Sequence, residues 1–238
     1  MASRQLESPA PLAQEAHWIP LSDLMTGLMV IFLLIAVMYM LKVQADADRV
    51  RNIAFVYSQI RNSLYDDLSR EFQLDLPRWK AQLIRSDLTI RFTEPEVLFA
   101  TGSAELKPDF KAILDDFFPR YVRILTSPRY RSSITEVRIE GHTSSDWSGS
   151  SSPEDAYFHN MELSQARTRS TLHYVLMLPS VAQHRAWLTR FLTANGLSSS
   201  RPVLDASRQE DAQRSRRVEF RVRTDADTRI THILEASQ

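Results

Sequence analysis

Residues 18–41 read WIPLSDLMTGLMVIFLLIAVMYML, and this stretch divides the chain into two different materials. Leu24 to Leu41 carries no charged side chain. Counted from Pro20, the run is long enough, at about 1.5 Å per helical residue, to cross the roughly 30 Å of bilayer hydrocarbon. Pro20 suits a first helical turn, where a missing N–H costs nothing. His17 and Trp18 at one end, with Tyr39 and Lys42 at the other, suit the two membrane interfaces. The spacing predicts one transmembrane helix over 20–41, preceded by a tail over 1–19. Two other readings compete. The buried helix of a soluble protein is usually shorter than 18 uncharged residues. A cleaved signal peptide would use Ala45-Asp46-Ala47 as its small-x-small site, but the apolar run is too long for one and an acidic stretch precedes it.

The rest of the composition narrows the function classes. Across 238 residues, 29 Lys and Arg balance 29 Asp and Glu, which argues against nucleic acid as the main partner. The absence of cysteine removes disulfides, Cys-ligated zinc or iron–sulfur sites, and a thiol nucleophile. No Gly-x-Ser-x-Gly, phosphate loop or His-Glu-x-x-His occurs. Glu94 and Glu96 flank Pro95 on a loop, a poor setting for paired-carboxylate catalysis. The chain reads as a non-enzyme with no cofactor and no metal site. His142 stands without a second His or a Cys nearby and reads as a hydrogen-bonded turn residue.

Asp23 makes the apolar segment more than an anchor. An ionised carboxylate in hydrocarbon is costly, and such residues usually face protein or a water-filled path and mark ion transfer. By spacing alone, Ser22-Asp23 is equally a helix N-cap at headgroup level.

Beyond the membrane, Val50, Ile53, Tyr57, Ile60, Leu64, Leu68 and Phe72 recur at threes and fours. They predict a helical stalk over 42–76 whose apolar stripe could pair with a second copy. From residue 77 to 225 the texture is α+β: alternation at Leu88/Ile90/Phe92, Val137/Ile139 and Val218/Phe220/Val222 predicts strands. Helices are expected after Pro108 (kinked or ended at Pro119), over 160–178, and from a Ser180 cap through Phe191 to Asn195-Gly196. The interleaving implies a small mixed sheet with helices on one face, followed by a tail over 226–238.

Two resemblances add to this reading. The run Ser22-Asp23-Leu24-Met25-Thr26-Gly27-Leu28-Met29, with Trp18 upstream, resembles the membrane signature of MotB-type stator subunits. In that family the aspartate carries the translocated ion, which falls on Asp23 here. Ser22, Thr26 and Gly27 are small residues suited to close packing beside it. Phe99-Ala-Thr-Gly-Ser-Ala-Glu-Leu-Lys-Pro108, Glu140-Gly141-His142-Thr143, Asn160-Met-Glu-Leu-Ser-Gln-Ala-Arg167 and Arg216-Arg217-Val218-Glu219 resemble the OmpA-type peptidoglycan-binding domain in the right order. That resemblance implies a wall-binding site of Thr143, Ser144, Asp146, Asn160, Leu163 and Arg167. The family aspartate position is Ser144 here, with Asp146 two residues late in a longer Ser-rich loop over 144–152, and the usual Gly-aromatic-Gly segment before the last strand is missing. From residue chemistry alone, Arg167 is either a surface salt bridge or a fork gripping a carboxylate one turn into a helix, beside helix N–H groups that take another anion.

Together the resemblances imply a homodimeric stator, anchored to peptidoglycan and working with a MotA/ZorA-like ring of membrane subunits. They place it in the inner membrane with a cytoplasmic N-terminus and a periplasmic domain, moving H⁺ or Na⁺. The short, hardly basic tail resembles the ZorB branch of Zorya anti-phage systems more than flagellar MotB. A non-conducting wall anchor remains the rival.

Overall fold

The fold is described by a computed structural model for residues 18–93, 98–100 and 102–225, without the side chains of residues 18–20 and 49–57. The expected tails (Trp18 and Ile19 aside), Glu94 with Glu96, and the side chains of Val50, Ile53 and Tyr57 lie outside that description. The chain divides into two units at Ile53/Ala54.

The first unit carries most of helix α1, Trp18–Phe72. Within its segment Leu21–Asp48, where nothing is buried, an 18-residue window reaches a mean hydropathy of 2.6. Among the described residues this is the one helix long and apolar enough to cross a membrane. Leu24, Met25, Met40 and Leu41, which point in different directions around the helix, are each at least 60% exposed. A helix apolar on every side needs an apolar surrounding, and no described residue of this unit supplies one. The helix runs through Ala45-Asp46-Ala47 without a break.

The second unit is a five-stranded sheet with strands β1 (Ala81–Ile84), β2 (Thr89–Phe92), β3 (Ile134–His142), β4 (Leu192–Gly196) and β5 (Arg217–Thr224), in the order β1-β2-β5-β3-β4. All neighbours are antiparallel except β3 and β4. That parallel pair is joined by a crossover through helix α3 (Pro153–Met177), a 3₁₀ turn (Pro179–His184) and helix α4 (Arg185–Phe191). Helix α2 (Pro108–Leu125) precedes β3, and a four-residue helix α5 (Ala212–Ser215) precedes β5.

Alternation decides the two faces of the sheet. Ile90, Phe92, Val137, Ile139, Val218, Phe220 and Val222 are buried in the core together with α2, whose Phe110, Leu114, Phe117, Phe118 and Tyr121 are fully buried. Phe117 lies at the centre, with ring centroids 5.0–6.0 Å from Phe72, Trp79, Phe92, Tyr121 and Phe220. These buried rings explain why α2 does not end at Pro119 but continues to Leu125: their burial outweighs the backbone bond that proline removes. The stripe expected as a pairing face also ends in this core, where Leu64, Leu68 and Phe72 are completely buried. Arg120 ties that end of α1 to α2 through Glu71, Asp75 and Asp116 at 2.8–3.1 Å.

Three further expectations change. Helix α3 begins at Pro153, not near Asn160, because the Ser152 hydroxyl accepts from the Asp155 N–H and Pro153 fits the first turn. Ser180 falls inside the 3₁₀ turn and caps nothing. Leu192–Gly196 is a strand beside β3, with Val137 opposite Leu192 and Gly141 opposite Gly196, rather than a helix end.

The opposite face of the sheet is a charged layer. Glu219 accepts from Arg91 and Arg217 at 2.7 Å each, and Arg221 reaches both Glu140 and Glu219 at 3.4–3.5 Å. His142 lies in β3, not in a turn; its side chain is wholly buried, 3.7 Å from both glutamates, and neither ring nitrogen has a hydrogen-bond partner among the described residues. Burial, aided by the Arg217 charge, pushes the His142 pKa down against the pull of the glutamates. For Glu219, burial alone would raise the carboxyl, but the Arg217 hydrogen bond and the charges of Arg217 and Arg91 hold it at about 2.

Two predictions follow from this packing. Phe117→Ala should remove about 3–5 kcal/mol from the unfolding free energy of the detergent-solubilised chain, and a loss under about 1 kcal/mol would contradict its central place. The second concerns pH. Below about 6.5 an unfolded chain protonates His142 while the folded one refuses the proton, so stability falls with acid, at up to about 1.4 kcal/mol per pH unit. Glu219 adds a second fall below about 4.5, where the unfolded carboxyl begins to take a proton that the folded one still rejects. Chemical unfolding from pH 7.5 to 5 should therefore slope less in His142→Gln than in the native chain; parallel curves would refute the assignment.

Candidate functional site

The first candidate is Asp23. It is exposed on α1, with Thr26 and Gly27 three and four residues on, hence on the same face of the helix. The Thr26 hydroxyl donates to the Ser22 carbonyl at 2.8 Å, so its polarity is satisfied within the helix. A Cβ added at Gly27 would meet nothing within 4 Å. The result is a carboxylate beside a small, self-satisfied patch, where another helix backbone could come close. Ser22, Asp23, Thr26 and Gly27 thus form one local surface on α1.

The second candidate is a cleft of about 390 Å³ in the second unit. Its position follows from two glycines. A Cβ at Gly141 would lie 2.7 Å from Thr168 and 2.9 Å from the Ser164 carbonyl, and one at Gly196 would lie 2.3 Å from the Gln165 nitrogen. Only glycine lets α3 lie so close to the carboxyl ends of β3 and β4. The Gln165 side chain then accepts from the Gly196 N–H at 2.7 Å, and Ser164 Oγ accepts from the Ser198 N–H at 3.1 Å. This contact sets the turn from Asn160 to Arg167 beside the loop that leaves β3.

All six residues expected at a wall-binding site (Thr143, Ser144, Asp146, Asn160, Leu163 and Arg167) line this cleft. Thr143 and Ser144 are nearly buried, and the Thr143 N–H donates to the Ser198 carbonyl at 3.0 Å. Asn160 Nδ2 donates to the Asp146 carbonyl at 3.3 Å and so holds the loop. The Asp146 carboxylate is exposed and makes no hydrogen bond or ion pair among the described residues. Arg167 is 8% exposed. Its Nε donates to the Ser103 carbonyl at 2.9 Å and its guanidinium lies 4.9 Å over the Phe99 ring. Its burial rules out the surface position that the salt-bridge reading assumed, and no carboxylate pairs with it among the described residues. Burial, with Arg216 nearby, lowers the Arg167 pKa to about 10. The expectation of free helix N–H groups beside it also fails, since Arg167 sits about four turns into α3, where those groups bond along the helix.

Sequence reasoning missed Phe99, Gly102, Trp147, Ser148 and Arg216 as walls of the cleft. Phe99, Gly102 and Arg216 lie in stretches that were recognisable, whereas Trp147 and Ser148 lie in the Ser-rich loop that departs from the pattern. The result is a buried, unpaired cation facing a space with an unpaired acid at its edge, suited to a ligand bearing both a carboxylate and an ammonium group.

Among the described residues one cluster has donor spacing suited to a metal: Glu140, His142 and Glu219, with ligand atoms within 4.8 Å of one another. Its carboxylates already face Arg91, Arg138, Arg217 and Arg221, whose guanidinium groups supply the compensating charge and oppose a further cation.

No protein-family model matches the chain. Of solved structures, a MotB-like protein from Desulfovibrio vulgaris is 24% identical with a TM-score of 0.48, covering 73% of this chain and 94% of that one. The cell wall anchor of the T6SS from Pseudomonas aeruginosa is 22% identical with a TM-score of 0.46, covering 66% and 96%. The Zorya protein ZorB of Escherichia coli is 47% identical over 219 residues, which is 92% of each chain. With an identity of that size over nearly the full length, this chain belongs to the ZorB family.

Proposed function

We propose that the chain is the wall-anchored stator subunit of an ion-driven membrane motor that acts in anti-phage defence. The observation that carries the reading is Asp23, a carboxylate in a helix whose residues 21–48 are exposed on all sides among the described residues. In this reading α1 spans the inner membrane once, with residue 18 toward the cytoplasm and the second unit in the periplasm. Two copies present two Asp23 carboxylates to a ring of MotA/ZorA-like subunits. Binding a proton removes the charge and release restores it; one charge moved through 100 mV yields about 2.3 kcal/mol, enough to shift a helix between two packing states. Na⁺ could serve the same carboxylate.

The far end supplies the reaction force. Arg167 would take the free carboxylate of a diaminopimelate residue in the wall peptide, in a planar fork inside a largely water-excluded pocket. Membership of the ZorB family supports the defence role over a flagellar one.

Phage plating on cells carrying the complete system tests both halves. Asp23→Asn and Arg167→Ala should each reduce protection to the level of cells lacking the chain, at unchanged protein abundance and membrane insertion. Full protection with Asp23→Asn would leave only a passive anchor, and full protection with Arg167→Ala would remove the cleft from the mechanism.

A further inference from the structure

We propose that Trp147 is a ligand-contacting residue of the cleft which, with Asp146, sets its preference for a free ammonium group. The inference rests on the wall-peptide reading of the cleft and goes beyond it, because both residues belong to the Ser-rich loop where the chain departs from the resembled pattern.

The loop is built to hold those two side chains in place. Ser145 bonds Glu210 through both its N–H and its hydroxyl, the latter contact being very short. Asn160 holds the Asp146 carbonyl at 3.3 Å, and the Ser150 hydroxyl donates to the Trp147 carbonyl at 2.9 Å. Ser151 reaches Asp155 at 3.1 Å and Ser152 caps α3. The Trp147 ring stacks on His159, centroids 5.2 Å apart and planes 17° from parallel. His159 lies within α3, in its second turn, so the indole is braced by a rigid element rather than by another loop.

Asp146 and Trp147 both line the cleft that holds Arg167. The indole is half-buried and contributes to the cleft wall while stacked on His159. A ring face beside an unpaired carboxylate is a cation subsite: the acid supplies charge and the ring quadrupole adds attraction while displacing water. The cleft then reads a ligand at two points, a carboxylate at Arg167 and an ammonium at Asp146 and Trp147. A ligand lacking either group binds less well.

The test uses the full chain in detergent and two probes: a wall tripeptide ending in diaminopimelate with its side-chain amine free, and the same peptide with that amine acetylated. The native chain should prefer the free amine by about tenfold or more. Trp147→Ala should weaken binding of the free amine several-fold and bring the two affinities together. Trp147→Phe should restore most of the preference, which a purely structural role in the loop would not require. Asp146→Asn should also narrow the ratio. If Trp147→Ala keeps the native ratio while Arg167→Ala abolishes binding, the proposal fails and the wall-peptide reading stands. If the native chain binds neither peptide, both fall.

Discussion

A carboxylate cannot remain ionised and alone in hydrocarbon: it must be neutralised, paired or reached by water. Asp23 imposes that condition on everything around it. Residues 21–48 of the helix that carries it are exposed on all sides and no described residue of its unit covers them, so in the proposed reading the acid is satisfied by water, another subunit or a second copy. Thr26 bonds its own backbone and Gly27 leaves open space, and together they provide the room for that neighbour without competing for the carboxylate. A group whose charge costs this much in one surrounding and little in another can convert a transmembrane voltage into a change of packing.

The second unit meets the opposite requirement, that something must stay still. Its core is a dense cluster of rings about Phe117, and its outer sheet face is locked by guanidinium–carboxylate pairs around Glu219 and Glu140. The cleft depends on two glycines that let α3 lie against the strand ends, because any Cβ there would strike backbone atoms of α3. A rigid body with a buried Arg167 at a cleft is suited to bearing load. In the proposed reading, a carboxylate bound there meets a guanidinium already held by the Ser103 carbonyl, so little ordering is needed on binding.

The parts legible in the sequence were those fixed by local pattern. Eighteen uncharged residues marked the span, strict alternation marked β2, β3 and β5, and the motif residues from Asn160 to Arg167 do meet Thr143 and Asp146 at one cleft. What escaped was set by tertiary context. Leu192–Gly196 is a five-residue strand whose Asn-Gly looks like a turn until β3 pairs with it. Ala81–Ile84 is shorter still, and α2 passes Pro119 only because of the rings around it. The start of α3 was readable in Ser152-Pro153-Glu154-Asp155, a capping signature overlooked in favour of the motif downstream. The contact of Trp147 with His159 depends on the path of a loop that no periodicity reveals.

The most direct test of the account is an electrical one. The chain and its membrane partner, reconstituted together in vesicles under an imposed potential, should pass a current in H⁺ or Na⁺ buffer that grows with voltage. With Asp23→Asn, incorporated to the same level and assembled with the same partner, that current should vanish in both ions. A current equal to that of the native complex would mean that the ion does not pass by way of Asp23, and the motor account would be wrong.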